Sequence, residues 1–268
     1  MNTHTTLREA AAVSGEGANS PRRHVPYGKL PRQKLDIYLP RDGKVKATIV
    51  YFYGGGWISG ARWHYRLFGR MMAARGYAVV IPDYHLYPHV RFPAFNEDAA
   101  LAFKWVHDQV TRWGGEPSRL FVMGHSAGAH IAAMLALDPG YLAVHGLTRS
   151  AIKGVIGLAG PYTLDPFKWT GTKDVFAPAA AAPGSARPIK LVCADAPAML
   201  LLHGTHDRVA GAHASEHLAA ALVKAGSVAR AIVYPGIGHF TIFLCYLPGL
   251  RWRAPALKDT EEFIAGMG

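Results

Sequence analysis

Residues 118–137 read SRLFVMGHSAGAHIAAMLAL. The first part, 118–125, is a short apolar run of strand length. The last part, 127–137, is apolar nearly all round at helix length. Between them stands one polar side chain, Ser126, inside Gly124-His125-Ser126-Ala127-Gly128. A serine at a sharp turn from a buried strand into a buried helix is pushed out above the sheet edge. The positive end of the helix lies beside it, where an oxyanion would form. The spacing therefore marks Ser126 as a nucleophile.

Outward from this turn the chain alternates strand and helix patterns. Continuous apolar runs at 47–53, 77–83, 152–160, 197–204 and 229–236 read as further strands, and KLDIYLP at 34–40 alternates like a half-exposed edge strand. Helical spacing falls at 64–75, 95–112, 213–225 and 257–265. Buried runs with helices between them predict an α/β fold, a mainly parallel twisted sheet covered on both faces. Residues 26–268 read as one domain. The weakly patterned stretch 161–197 is a candidate mini-lid, so at most a small lid is expected. Residues 1–25 read as a loose leader, partly helical around Leu7–Val13.

Composition excludes several classes. The chain has 268 residues, half of them hydrophobic, with mean hydropathy +0.07. No apolar run approaches the roughly 18 residues of a membrane span, so no stable membrane insertion is expected. The N-terminus has no secretory apolar core, which predicts a cytoplasmic protein. Net charge is +11, but the basic residues are scattered. The densest groups are Arg22-Arg23 and Arg251-Trp252-Arg253. A phosphate track needs clustering, so nucleic acid is not an expected partner. Two cysteines, Cys193 and Cys245, make no disulfide framework and are expected as buried thiols.

A serine hydroxyl needs a base, and the base needs an acid. His239 follows the run at 229–234 in YPGIGHF, with Gly236 and Gly238 allowing a sharp loop. His85 and His89 precede Ser126, against the order nucleophile, acid, histidine of this architecture, and His125 and His130 flank it and point elsewhere. Asp207 in LLLHGTHDRV follows a buried run, whereas Asp165 and Asp195 sit in the irregular stretch. His203, His206 and Asp207 have poor spacing for a metal, and none is expected. The triple glycine of YFYGGGW, 51–57, supplies backbone N–H donors. With Ala127, Gly55 and Gly56 are the candidate oxyanion hole. Trp57, Phe92, Phe167, Trp169 and Phe243 are candidate aromatic walls for a substrate pocket, with core packing the competing role.

Together, GHSAGAH, GTHDRV, GIGHF and the GGGW loop resemble the α/β-hydrolases of the carboxylesterase and hormone-sensitive-lipase-like group. QKLDIYLP, DYHLYP and FPAFNEDAALAFKWV extend the likeness over residues 27–266. It is nearest to bacterial esterases related to isoprenylcysteine methylesterases and arylformamidases. The resemblance implies a serine carboxylesterase acting on a small-molecule ester, with small to medium acyl groups and no cofactor. An amidase of arylformamidase type shares every catalytic part and stays open, as does a non-catalytic binding protein on the same fold. Tyr53 stands where the family usually has a histidine before the glycines, and His85 where arginine is common.

Overall fold

The computed structural model describes residues 21–268. Eight strands form one sheet: β1 (Arg22–Pro26), β2 (Lys34–Tyr38), β3 (Ala47–Phe52), β4 (Tyr77–Pro82), β5 (Leu120–His125), β6 (Gly154–Leu158), β7 (Ala198–Gly204) and β8 (Ala229–Tyr234). Their spatial order is β1-β2-β4-β3-β5-β6-β7-β8. The first two pairings are antiparallel and the rest parallel. Strands β3 to β7 are buried along their whole length, as their unbroken apolar runs require in a sheet covered on both faces.

Register positions the chemistry. Phe52 pairs with Gly124, His125 with Leu158, Leu158 with Leu202, and Gly204 with Tyr234. The carboxyl ends of β3, β5, β7 and β8 are therefore level. The four loops that leave them, which carry the glycines, Ser126, Asp207 and His239, open onto one edge.

The larger helices are α1 (Arg66–Ala73), α2 (Ala94–Gln109), α3 (Ala127–Leu137), α6 (His213–Lys224) and α8 (Ala256–Gly266). Shorter ones are α4 (Pro139–Ala143), α5 (Thr170–Lys173) and α7 (Thr241–Leu244). Every residue of α3 is buried, because it packs on β5 and β6 beneath α2. No helix among the described residues is long and apolar enough to cross a membrane.

Three expectations change. Residues 22–25, assigned above to the leader, form β1 together with Pro26. Its sequence RRHVP gave no alternation to read, and it owes its strand form to pairing with β2. Leu7–Val13 lies outside the described residues. Second, β2 is not an edge strand: it is covered by β1, and the buried Asp36 that mimicked an exposed position is paired with Arg62. Third, Cys245 is buried but Cys193 is partly exposed.

Candidate active site

Ser126 stands between β5 and α3 with φ 54° and ψ −120°. A non-glycine residue held in that region stores strain, on the order of 1–3 kcal/mol, and such strain concentrates at functional sites. The turn is held by the Ser126 N–H, which donates to the Leu158 carbonyl at the end of β6 (2.8 Å).

His239 reaches this serine across 113 residues of chain. Its Nε2 lies 2.8 Å from Ser126 Oγ, and its Nδ1 lies 2.7 Å from Asp207 Oδ2. The Asp207 carboxylate is fully buried. Its other oxygen, Oδ1, accepts the N–H groups of Val209 (2.8 Å) and Ala210 (2.9 Å). Burial alone would push this carboxyl up. Hydrogen bonds from His203, His239 and the two backbone N–H groups outweigh that and hold it well below the usual carboxylate range. An ionised carboxylate only accepts, so Nδ1 of His239 carries the proton and Nε2 is left to accept from the serine hydroxyl.

The glycine loop abuts the serine. A Cβ at Gly54 would lie 3.1 Å from Ser126 Cβ and 2.9 Å from His125 Nδ1, so no side chain fits there. Gly55 has φ 135°, and a Cβ on it would lie 2.1 Å from the Ser59 carbonyl oxygen. That carbonyl closes the far side of the tight turn in which the Ile58 and Ser59 N–H groups donate to Gly55 O (3.1 and 3.0 Å). Among the described residues, none accepts the N–H of Gly55, Gly56 or Ala127.

Tyr53 braces this loop. Its hydroxyl donates to Asp83 Oδ1 (2.9 Å) and accepts from Arg32 (3.1 Å), and its ring is stacked between Tyr65 and Tyr84. Arg32 also donates to the carbonyls of Gly60 (2.7 Å) and Tyr84 (2.6 Å), and Tyr84 donates to Tyr53 O (2.7 Å). Arg62 pairs with both Asp36 and Asp83 beneath. The loop thus rests on a buried charged cluster.

The five aromatic wall candidates scatter. Trp57 and Phe92 are buried and pack with Phe95 and Phe176, and Trp57 also meets His130 edge-on. Trp57, with φ 63°, anchors the loop by accepting the Tyr87 N–H (2.9 Å). Phe167 is partly buried and Trp169 half exposed. Phe243 packs on Tyr51, Tyr65 and Phe68, and its ring centroid lies 6.0 Å from that of His125.

Sequence reasoning passed over four residues. The Nε2–H of His125 donates to the His239 carbonyl (2.8 Å), and burial pushes its pKa down to about 4. A neutral imidazole therefore props the loop that carries His239. Phe240 is exposed beside His239, ring centroids 5.2 Å apart. His203 and Ser215 lie behind Asp207. Adjacency in sequence to Ser126 and His239 was the only signal for the first two. Nothing linked Ser215 to the site before the helix was packed.

A family model, BD-FAE, matches residues 35–222, most of the chain. The chain belongs to the BD-FAE family. A probable isoprenylcysteine alpha-carbonyl methylesterase of Oryza sativa subsp. japonica is 34% identical over 249 residues, covering 83% of this chain and 58% of its own length. Esterase LipC of Mycobacterium tuberculosis is 28% identical, covering 81% and 59%. This BD-FAE chain thus spans little more than half the length of such relatives. Esterase 2 of Thermogutta terrifontis superposes with TM-score 0.78 at 24% identity, over 96% of this chain and 97% of that one, and a carbohydrate esterase from gut microbiota with 0.77 at 22%, over 94% and 98%. The fold is that of the α/β-hydrolases. The arylformamidase alternative finds no support among these relatives.

Proposed function

We propose that the chain is a serine carboxylesterase with Ser126 as nucleophile, His239 as general base and acid, and Asp207 as the carboxylate that orients and charge-balances His239. The observation that carries this reading is the unbroken line of contacts Ser126–His239–Asp207, at 2.8 and 2.7 Å, beside the glycine loop. Ser126 Oγ attacks the ester carbonyl while its proton passes to Nε2 of His239. The developing oxyanion meets the N–H groups of Gly55, Gly56 and Ala127, the alcohol leaves with the proton from Nε2, and water releases the acid by the same path. The substrate is a carboxylic ester of small to medium acyl group. The name of one relative, a probable methylesterase, agrees with a small alcohol portion. The stretch 161–197 is fastened to the body of the fold: Phe92 N–H donates to Val175 O (2.9 Å), and Ala186 O lies 2.9 Å from His130 Nε2 on α3.

The test is turnover of p-nitrophenyl butyrate by the parent and by Ser126→Ala. Loss of the nucleophile from such a unit costs on the order of a million-fold in kcat. A variant that turned over at the parent's rate would end the reading. Faster cleavage of a long, insoluble triglyceride than of the butyrate would end its substrate class.

A further inference from the structure

Asp207 serves two histidines. The oxygen that faces His239 also lies 3.0 Å from Nε2 of His203, a fully buried residue on β7. That same nitrogen is 2.7 Å from the Ala210 carbonyl oxygen. A carbonyl only accepts, so Nε2 of His203 carries a hydrogen, shared between Ala210 O and Asp207 Oδ2. The opposite nitrogen, Nδ1, lies 2.8 Å from Oγ of Ser215, a fully buried residue on α6. The contacts thus run without a break from α6 to the sheet edge: Ser215, His203, Asp207, His239, Ser126.

The count of acceptor positions gives this line its meaning. A carboxylate offers about four. On Asp207, Oδ1 is filled by the N–H groups of Val209 and Ala210, and Oδ2 by His239 and His203. With the reading of Ser126, His239 and Asp207 as a triad as its premise, we propose that His203, held by Ser215, is a positioning residue for the triad acid. It fixes the roll of the Asp207 carboxylate and draws off negative charge from the oxygen that faces His239.

Two consequences follow. A carboxylate locked at all four positions holds the His239 ring in line with Ser126. A carboxylate that shares its charge with a second donor also pulls less strongly on the Nδ1 hydrogen of His239. The groups that face this pair are His203 from β7, His125 from the end of β5, and the hydroxyls of Ser126 and Ser215.

Two substitutions separate the nitrogens. In His203→Gln an amide N–H reaches the position of Nε2 and keeps a donor for Asp207. In His203→Asn the polar atoms stop at the position of Nδ1, next to Ser215, and the donor is lost. The full chain carrying each change is assayed on p-nitrophenyl butyrate across pH, with circular dichroism melting as the folding control. We expect His203→Asn to lose about 10- to 100-fold in kcat with KM little changed, as misplacement of a catalytic group does. The acid limb of its kcat/KM profile moves to higher pH, and His203→Gln restores most of both. Parent-like kcat and pH profile in folded His203→Asn overturns the proposal. Equal losses in the two variants with an unmoved acid limb also overturn it, because they reduce His203 to packing. An inactive parent, or an active Ser126→Ala, strikes the triad reading instead. Nitrogen-15 spectra of histidine-labelled native protein give a readout that needs no variant. The His203 ring is expected with its hydrogen on Nε2 in slow exchange, and a form bearing it on Nδ1 alone overturns the proposal.

Discussion

At the scale of single residues, the site is a set of constraints on Ser126. Its backbone sits at φ 54°, a region glycine enters freely and serine does not. Ser126→Gly should therefore melt higher than Ser126→Ala by the equivalent of roughly 1 kcal/mol, with both inactive. Calorimetry of the pair checks it, and equal melting temperatures would mean the turn is unstrained. His125 is the second constraint. His125→Phe removes the donor to the His239 carbonyl while keeping the ring, and should lower kcat by about tenfold while leaving the protein folded. Steady-state kinetics with a melting curve decides this. The meeting of Ser126, Asp207 and His239 was legible because each follows a strand-length run that ends at the same edge of the sheet. His125 and His203 were not legible in these roles. Their partners lie at His239 O and Ser215 Oγ, and only the strand register and the packing of α6 bring those atoms near.

At the scale of elements, the glycine loop is held from below. Tyr53 Oη donates to Asp83, and Arg62 is the guanidinium set between Asp36 and Asp83. A hydrogen bond to a charged group contributes about 1.5–3 kcal/mol, so Tyr53→Phe should lose about that much stability in urea unfolding and lower kcat as the loop loosens. Arg62→Met is the harsher change. It leaves two buried carboxylates without their cation and should cost about 3–5 kcal/mol. If Arg62→Met were as stable as the parent, the cluster would not be what holds the loop. The same cluster explains the limits of sequence reading here. The apolar runs of β3 to β7 announced buried strands directly. β2 was misread because Asp36 looked like a solvent-facing position, when its charge is met inside by an arginine 26 residues away. β1 was missed because its basic residues and single valine carry no strand pattern, and its pairing with β2 makes the strand.

At the scale of the whole molecule, buried histidines tie stability to pH. His125 and His130 are buried, and burial pushes both pKa values down from 6.5 to about 4. Between those values the unfolded chain binds protons that the folded chain excludes. Stability therefore falls as pH drops through this window, by up to about 3 kcal/mol for each histidine. Asp207 extends the loss downward. Its folded pKa is depressed, so its contribution is present above the ordinary carboxylate value and is lost as pH falls below it. Urea unfolding at about pH 7 and about pH 4.5 should give a steep difference for the parent and a smaller one for His130→Leu. A parent curve flat across that range would contradict the burial of these rings as neutral groups. The sheet edge where four strand ends come level is the larger claim, since it brings side chains from three distant segments into one line of contacts. The most direct measurement is the intact mass of the protein after a stoichiometric fluorophosphonate, followed by peptide mapping. We predict one adduct per chain, on Ser126, absent from Ser126→Ala and slowed by orders of magnitude in His239→Ala. No adduct, or one on another residue that survives Ser126→Ala, would contradict it.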